Sequence, residues 1–263
     1  MARQSKPIRS KLGWSTTDRI SVRGFDLPNE LIGHLNLGDM AFLELTGRKP
    51  TPQESTMFNA MVVTLVEHGM TPSAIAARMT IVGAPEALQA AVAAGLCGLG
   101  SVFVGSMEHA AVMLEAAMPY GQDNSKADLD QLAQAIVDRH RAEKKIVPGI
   151  GHPVHKPVDP RTVRLFQLAE ENGFSGRYLA LMKKVQARAE AASGKSLPMN
   201  ATGAIGAISC ELGFTPRIVR GFGVMARAVG LVGHIMEEWE NPMALELWHR
   251  VDEEASEDTR PKI

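Results

Sequence analysis

Ile146-Val147-Pro148-Gly149-Ile150-Gly151-His152-Pro153-Val154-His155-Lys156-Pro157-Val158-Asp159-Pro160-Arg161 is the stretch on which the reading of this chain turns. Its four prolines and two glycines exclude a helix through it. The segments on both sides carry helical periodicity instead. Upstream, Lys126 to Glu143 places Leu129, Leu132, Ala133, Ile136 and Val137 on one face. Downstream, helix returns over Thr162 to Glu171 and Tyr178 to Ala192. Ser193-Gly194-Lys195-Ser196-Leu197-Pro198 then forms a second loop before the small, apolar Asn200 to Leu212. A rigid loop set among helices is where such a scaffold carries function.

The same grammar extends to both ends. Leu27-Pro28-Asn29-Glu30 opens a helix through Leu37, and a second follows from Gly38 to Gly47. Thr51-Pro52-Gln53-Glu54 caps a helix that ends at Glu67-His68-Gly69. Thr71-Pro72 and Ala84-Pro85 start two more, and Gly100 to Gly105 interrupts the pattern before Met107 to Met118. Thr215-Pro216 starts a long helical region to Glu240, after which the acidic C-terminus reads as a solvated tail. Residues 1–20 form a basic arm, and Ile20-Ser21-Val22-Arg23 alternates as a short strand. The expectation is an all-α protein with a short N-terminal β arm.

Composition removes whole classes of function. Of 263 residues 45% are hydrophobic, so a sizeable core is expected, and only 5% are aromatic, which favours helix over sheet. A formal charge of −1 leaves no basic field for nucleic acid. Ala87 to Met107 carries no charge over 21 residues, but four glycines and many alanines suit close helix packing better than a bilayer span, so no membrane is expected. Cys97 and Cys210 read as buried thiols in a reducing compartment, and no signal core follows the basic N-terminus, so the cytoplasm is expected.

The candidate chemistry sits in loops. Gly149 and Gly151 let backbone approach a ligand closely, and the prolines hold His152 between them. His68 stands at a helix end, where the dipole raises its basicity; it is otherwise a capping residue. Arg161 reads as a carboxylate clamp or as a surface ion pair. Lys144, Lys145, Lys156 and Lys195 surround the two loops and offer charge to phosphates. His152-x-x-His155 lacks a third ligand, so no metal is expected. Gly221-Phe222-Gly223-Val224-Met225-Ala226 matches a dinucleotide pattern but lies in helical sequence, which voids it.

Glu67-His68-Gly69, Gly105-Ser106, Pro148 to Val154 with Asp159-Pro160-Arg161, Asn200 to Gly206 and Phe222 to His234 together resemble the citrate synthase superfamily in order and spacing. The short length looks most like its citryl-CoA lyase branch, which includes the lyase module of ATP-citrate lyase. The resemblance implies a large domain over about 20–140 and 205–250, a small domain over about 141–204, and a homodimer. It implies carbon–carbon cleavage or formation in an acyl-CoA thioester, with coenzyme A as part of substrate or product. Carried over by position, His68 and His152 match substrate-binding histidines, and Arg161 and Arg227 match carboxylate-site arginines. Lys145 and Lys195 fall near coenzyme A. The family's catalytic aspartate is replaced by Thr202, whose hydroxyl is too weak an acid to serve as a carboxylate base. Arg250 is the candidate for an arginine given to a partner subunit. Loss of that aspartate leaves two other readings open, a CoA-ester-binding protein without turnover and a thioester hydrolase.

Overall fold

Several helix starts rest on a local capping signal in the computed structural model, which describes residues 7–259. The first six residues of the basic arm and the last four of the tail lie outside the described residues. The chain divides into two compact units, one through Ala60 and one from Met61 onward.

In the first unit, β1 (Gly13–Ser15), β2 (Ile20–Val22) and β3 (Phe25–Asp26) form an antiparallel sheet in that order, with Trp14 opposite Ser21 and Val22 opposite Phe25. The expected first helix is a single five-residue π-helical turn, Leu27–Leu31. Asp26 caps it, and the chain leaves it extended at Ile32, so Leu35 never joins a helical face. Helix α1 (Leu37–Thr46) starts at Asn36, whose side chain accepts from the Asp39 amide, and stops at left-handed Gly47. Helix α2 (Pro52–Val66) begins in this unit with a reciprocal capping box between Thr51 and Glu54, and its last turns, from Met61, belong to the second unit. Phe42 and Phe58 meet edge to face at 5.6 Å and form the unit's buried centre.

The second unit is helical throughout its regular structure. Its elements are α3 (Pro72–Gly83), α4 (Leu88–Cys97), a π-helical turn Gly100–Val104, α5 (Gly105–Ala117), α6 (Leu129–Ala142), α7 (Pro160–Glu171), α8 (Arg177–Ser193), α9 (Ala201–Glu211), α10 (Pro216–Glu240) and α11 (Ala244–Ser256). The uncharged stretch is not one rod, because α4 and the Gly100–Ala117 helix meet at 71°. Helix α10 is long and apolar enough to cross a membrane, and half of its apolar window is buried within the protein. Small residues of α9, buried from Ala201 through Cys210 except at Thr202, let α5, α7, α8 and α10 pack around it.

Two expectations need correction here. The C-terminal tail is helix α11 as far as Ser256, because Glu238 accepts hydrogen bonds from the Met243 and Ala244 amides and so starts that helix. Cys97 is exposed at the last position of α4, while Cys210 is buried on α9. Burial pushes the Cys210 thiol up to about 12, which makes it inert.

Candidate active site

The proline-rich loop is fastened to the start of α9 by backbone pairing. The Gly151 amide donates to the Pro198 carbonyl at 2.7 Å, and the Asn200 amide donates to Gly149 at 3.0 Å. Gly149 has φ +81°, and a Cβ there would lie 2.4 Å from the Gly203 Cα. Its close approach is therefore to the backbone of α9, which any larger residue would push away. Asn200 completes the junction: its amide nitrogen donates to the Gly151 carbonyl at 2.7 Å, and its Oδ1 caps α9 by accepting from the Thr202 and Gly203 amides.

His152 hangs from this frame with its orientation set. Its Nδ1 accepts from the amides of Val154 at 3.1 Å and His155 at 2.9 Å, so the ring proton sits on Nε2, 3.4 Å from Arg161. Burial, the neighbouring His155 and nearby cations lower the His152 pKa, which favours a neutral ring that donates from Nε2. The pKa of His68 is also lowered, first by burial and then by Arg161 and Arg227. The expected rise in its basicity is thus overturned. A helix-end dipole is outweighed by burial together with two guanidinium groups brought from α7 and α10.

Those two arginines differ. Asp159, fully buried, caps α7 and grips Arg161 through Nε at 3.0 Å and Nη2 at 2.8 Å. The same carboxylate accepts from the Ala201 amide at 3.0 Å. Burial works against this carboxylate, yet Arg161 and the amides hold it below the usual range. Arg161 is left with Nη1, 3.5 Å from His68 Nδ1, so its fork closes on the protein. Arg227 is 8% exposed, and its Nε and Nη1 are buried with no hydrogen-bond partner among the described residues. A buried guanidinium with two unsatisfied nitrogens is costly, and burial lowers its pKa against the attraction of Glu67.

Two cavities meet at this loop. One, of about 310 Å³, collects His68, Arg161, Arg227 and Thr202. The other, of about 730 Å³, is largely apolar and runs past Val137, Ile146, Val147 and Leu197, with Arg141 at its edge. Ser106, Gly151, His152, Pro153 and Asn200 line both. Gly149 lines only the larger cavity. Thr202 donates its hydroxyl to Asn200 Oδ1 at 2.6 Å, so it presents lone pairs to the smaller cavity. Lys145 pairs with Glu143 at 2.8 Å, Lys195 is exposed, and neither lines either of these two cavities. Sequence reasoning passed over Arg141, which only the fold carries from the end of α6 to the loop. It also gave no role to Asp159, although an Asp-Pro pair before a helix signals a cap. Among the described residues no three His, Cys, Asp or Glu side chains converge as metal ligands.

The family of the citrate synthase C-terminal domain matches residues 30–247. The chain belongs to the citrate synthase family. Within it, the likeness is to the citryl-CoA lyase branch. The citryl-CoA lyase of Hydrogenobacter thermophilus is 34% identical with a TM-score of 0.78, over 89% of this chain and 87% of that one. The ATP citrate lyase of Methanothrix soehngenii, solved with citrate and coenzyme A, shares the fold at 20% identity and TM-score 0.75, over 90% of this chain and 40% of that one. A probable ATP-citrate synthase of Dictyostelium discoideum is 26% identical over 87% of this chain. The chain spans 38% of that relative's length. It is a lyase-like enzyme of its family.

Proposed function

We propose that this chain cleaves or forms a carbon–carbon bond in a 3-hydroxyacyl-CoA thioester of the citryl-CoA type, giving acetyl-CoA and a keto acid. The observation that carries the proposal is the His152 loop as a wall common to a cationic cavity and an apolar one. A carboxylate of the acid part meets Arg227 in the smaller cavity, where its charge supplies the missing partner. The pantetheine arm of coenzyme A lies along the apolar walls of the larger one, with Arg141 toward the phosphates. The scissile bond then falls beside His152.

In the cleavage direction His68 takes the proton of the 3-hydroxyl, since both ring nitrogens of His152 are committed. His152 donates from Nε2 to the oxygen that becomes the keto group, and so stabilises its negative charge. The carbon–carbon electron pair moves to the thioester enolate, whose methylene carbon takes a proton from water oriented at Thr202, and the hydroxide left behind takes up the proton that His68 removed, which returns the site to its starting state. The site draws on the proposed large domain for His68 and Arg227, and on the small domain for His152, Arg161 and Thr202. We also propose a homodimer through α10, where Val224, Val232, Met236 and Trp239 lie exposed on one face.

The closed Thr202–Asn200 hydrogen bond favours a second reading, a protein that binds CoA esters without turning them over. His152→Ala separates the two. Loss of turnover with an unchanged thermal unfolding curve is the expected result, and unchanged turnover would overturn the mechanism.

A further inference from the structure

On the far side of the smaller cavity, a chain of hydrogen bonds runs from a fully buried arginine to the His68 turn. Arg78 on α3 is 1% exposed. Its Nη1 donates to Glu238 at 2.9 Å, and its Nη2 also contacts Glu237. Its Nε and Nη2 lie 3.2 and 3.0 Å from Nδ1 of His234. A guanidinium can only donate. His234 Nδ1 must therefore accept, and the ring proton is forced onto Nε2. That nitrogen faces the Glu67 carboxylate, 3.2 Å from Oε1 and 3.0 Å from Oε2. Glu67 Oε1 in turn accepts from the amide of His68 at 2.8 Å and from that of Gly69.

Helix α10 sets the register of this chain. Arg227, Gly230 and His234 recur at helical spacing on one face. Arg227 faces the cavity, and His234 holds Glu67. Between them, a Cβ at Gly230 would lie only 2.0 Å from the Val66 carbonyl oxygen, so the end of α2 rests directly on α10. One helix thus fixes both the arginine and the turn that carries His68. Nothing in the mechanism above uses Arg78, His234 or Glu67.

We propose that His234 is a positioning residue: Arg78 locks it as the Nε2–H tautomer, and through Glu67 it holds the His68 turn in place against the cavity. The geometric part stands on the hydrogen bonds alone, and its effect on turnover rests on the function proposed above. Glu67 responds as an ionised acceptor should. Burial opposes its charge, but the Gly69 and His68 amides hold its carboxyl below the usual range. Alternative roles for the cluster are narrower. Glu238 already starts α11, so Arg78 has a structural share in the packing of three helices, but that share does not require an imidazole between it and Glu67.

The test is long-range proton–nitrogen NMR of the full chain labelled in its histidines, recorded without substrate at neutral pH, with His234 assigned by its absence from His234→Gln. The wild type should show His234 as the Nε2–H tautomer. His234→Ala and Glu67→Gln should move the His68 ring and amide signals and leave His109 in place. His234→Gln keeps a donor toward Glu67 and should restore the His68 signals. With a turned-over thioester, His234→Ala should lower kcat on the order of tenfold with little change in KM, and His234→Gln should recover most of it. An Nδ1–H or doubly protonated His234, or His68 signals unmoved in both variants, would overturn the proposal. If His234→Ala does not fold, Glu67→Gln decides, because the Glu67 side chain is 49% exposed. If no thioester is cleaved while the spectra behave as stated, the functional proposal fails and the positioning stands.

Discussion

The first turn of α7 and the middle of α10 each bring an arginine to the same cavity, and they treat it in opposite ways. Arg161 is closed on a buried carboxylate that also caps its own helix and holds the start of α9. Arg227 is buried deeper and has two nitrogens without a partner. A guanidinium gripped by its own protein's carboxylate organises structure, and one left unsaturated at a cavity stores affinity for an anion at the expense of stability. Both arginines line the cavity in which we propose the acid part binds; Asp159 adds a structural share to Arg161, and Arg227 is the freer of the two to take a carboxylate.

Replacing Arg227 by Met makes the sharpest break. The acid part loses its partner, and kcat/KM should fall on the order of 1000-fold, about 4 kcal/mol. The same variant should unfold at a higher temperature than the wild type, because a buried guanidinium with two unsatisfied nitrogens is gone. A lower unfolding temperature with full activity would reverse the roles of the two arginines.

Asp159→Ala acts on the other side and should cost about 3 kcal/mol in urea unfolding, since it strands Arg161, uncaps α7 and leaves the Ala201 amide at the start of α9 without its acceptor. The pH dependence has a defined sign. The folded pKa of Asp159 is depressed, so its contribution is present above the ordinary carboxylate pKa and is lost as pH falls through the folded value. The variant should therefore show a shallower loss of stability in acid. An unchanged acid limb would mean that Asp159 is not held as an ion.

The smallest effect is on His68. Its pKa is lowered by burial first, then by Arg161 and then by Arg227. Removing either cation by Gln should raise it toward the ordinary histidine value, and Arg161→Gln should raise it more. An NMR titration of His68 in the two variants reads this order, and the opposite order would contradict the geometry.

Much of the frame was legible because its signals are local. Thr51 and Thr71 announce helix starts within three residues of the bonds they make, Asp159 and Asn200 carry the same local signal unread, and the prolines of residues 146–161 exclude helix on their own. The resemblance then gathered His68, His152, Arg161, Arg227 and Thr202, which all line one cavity. What escaped depends on distant partners. The basicity of His68 is lowered first by burial in the folded chain and then by arginines 93 and 159 residues away, as 161 − 68 and 227 − 68 show. Helix α11 looked like a solvated tail because its start is supplied by Glu238 on the preceding helix. Lys145 and Lys195 were near the loops in sequence, yet their side chains turn to solvent.

The most direct test is product analysis by mass spectrometry after the wild-type chain meets citryl-CoA and simpler 3-hydroxyacyl-CoA thioesters, with acetyl-CoA and free coenzyme A scored separately. Acetyl-CoA appearing with an equal amount of keto acid is the predicted result, and intact thioesters across the panel, or free coenzyme A alone, would contradict carbon–carbon cleavage at this site.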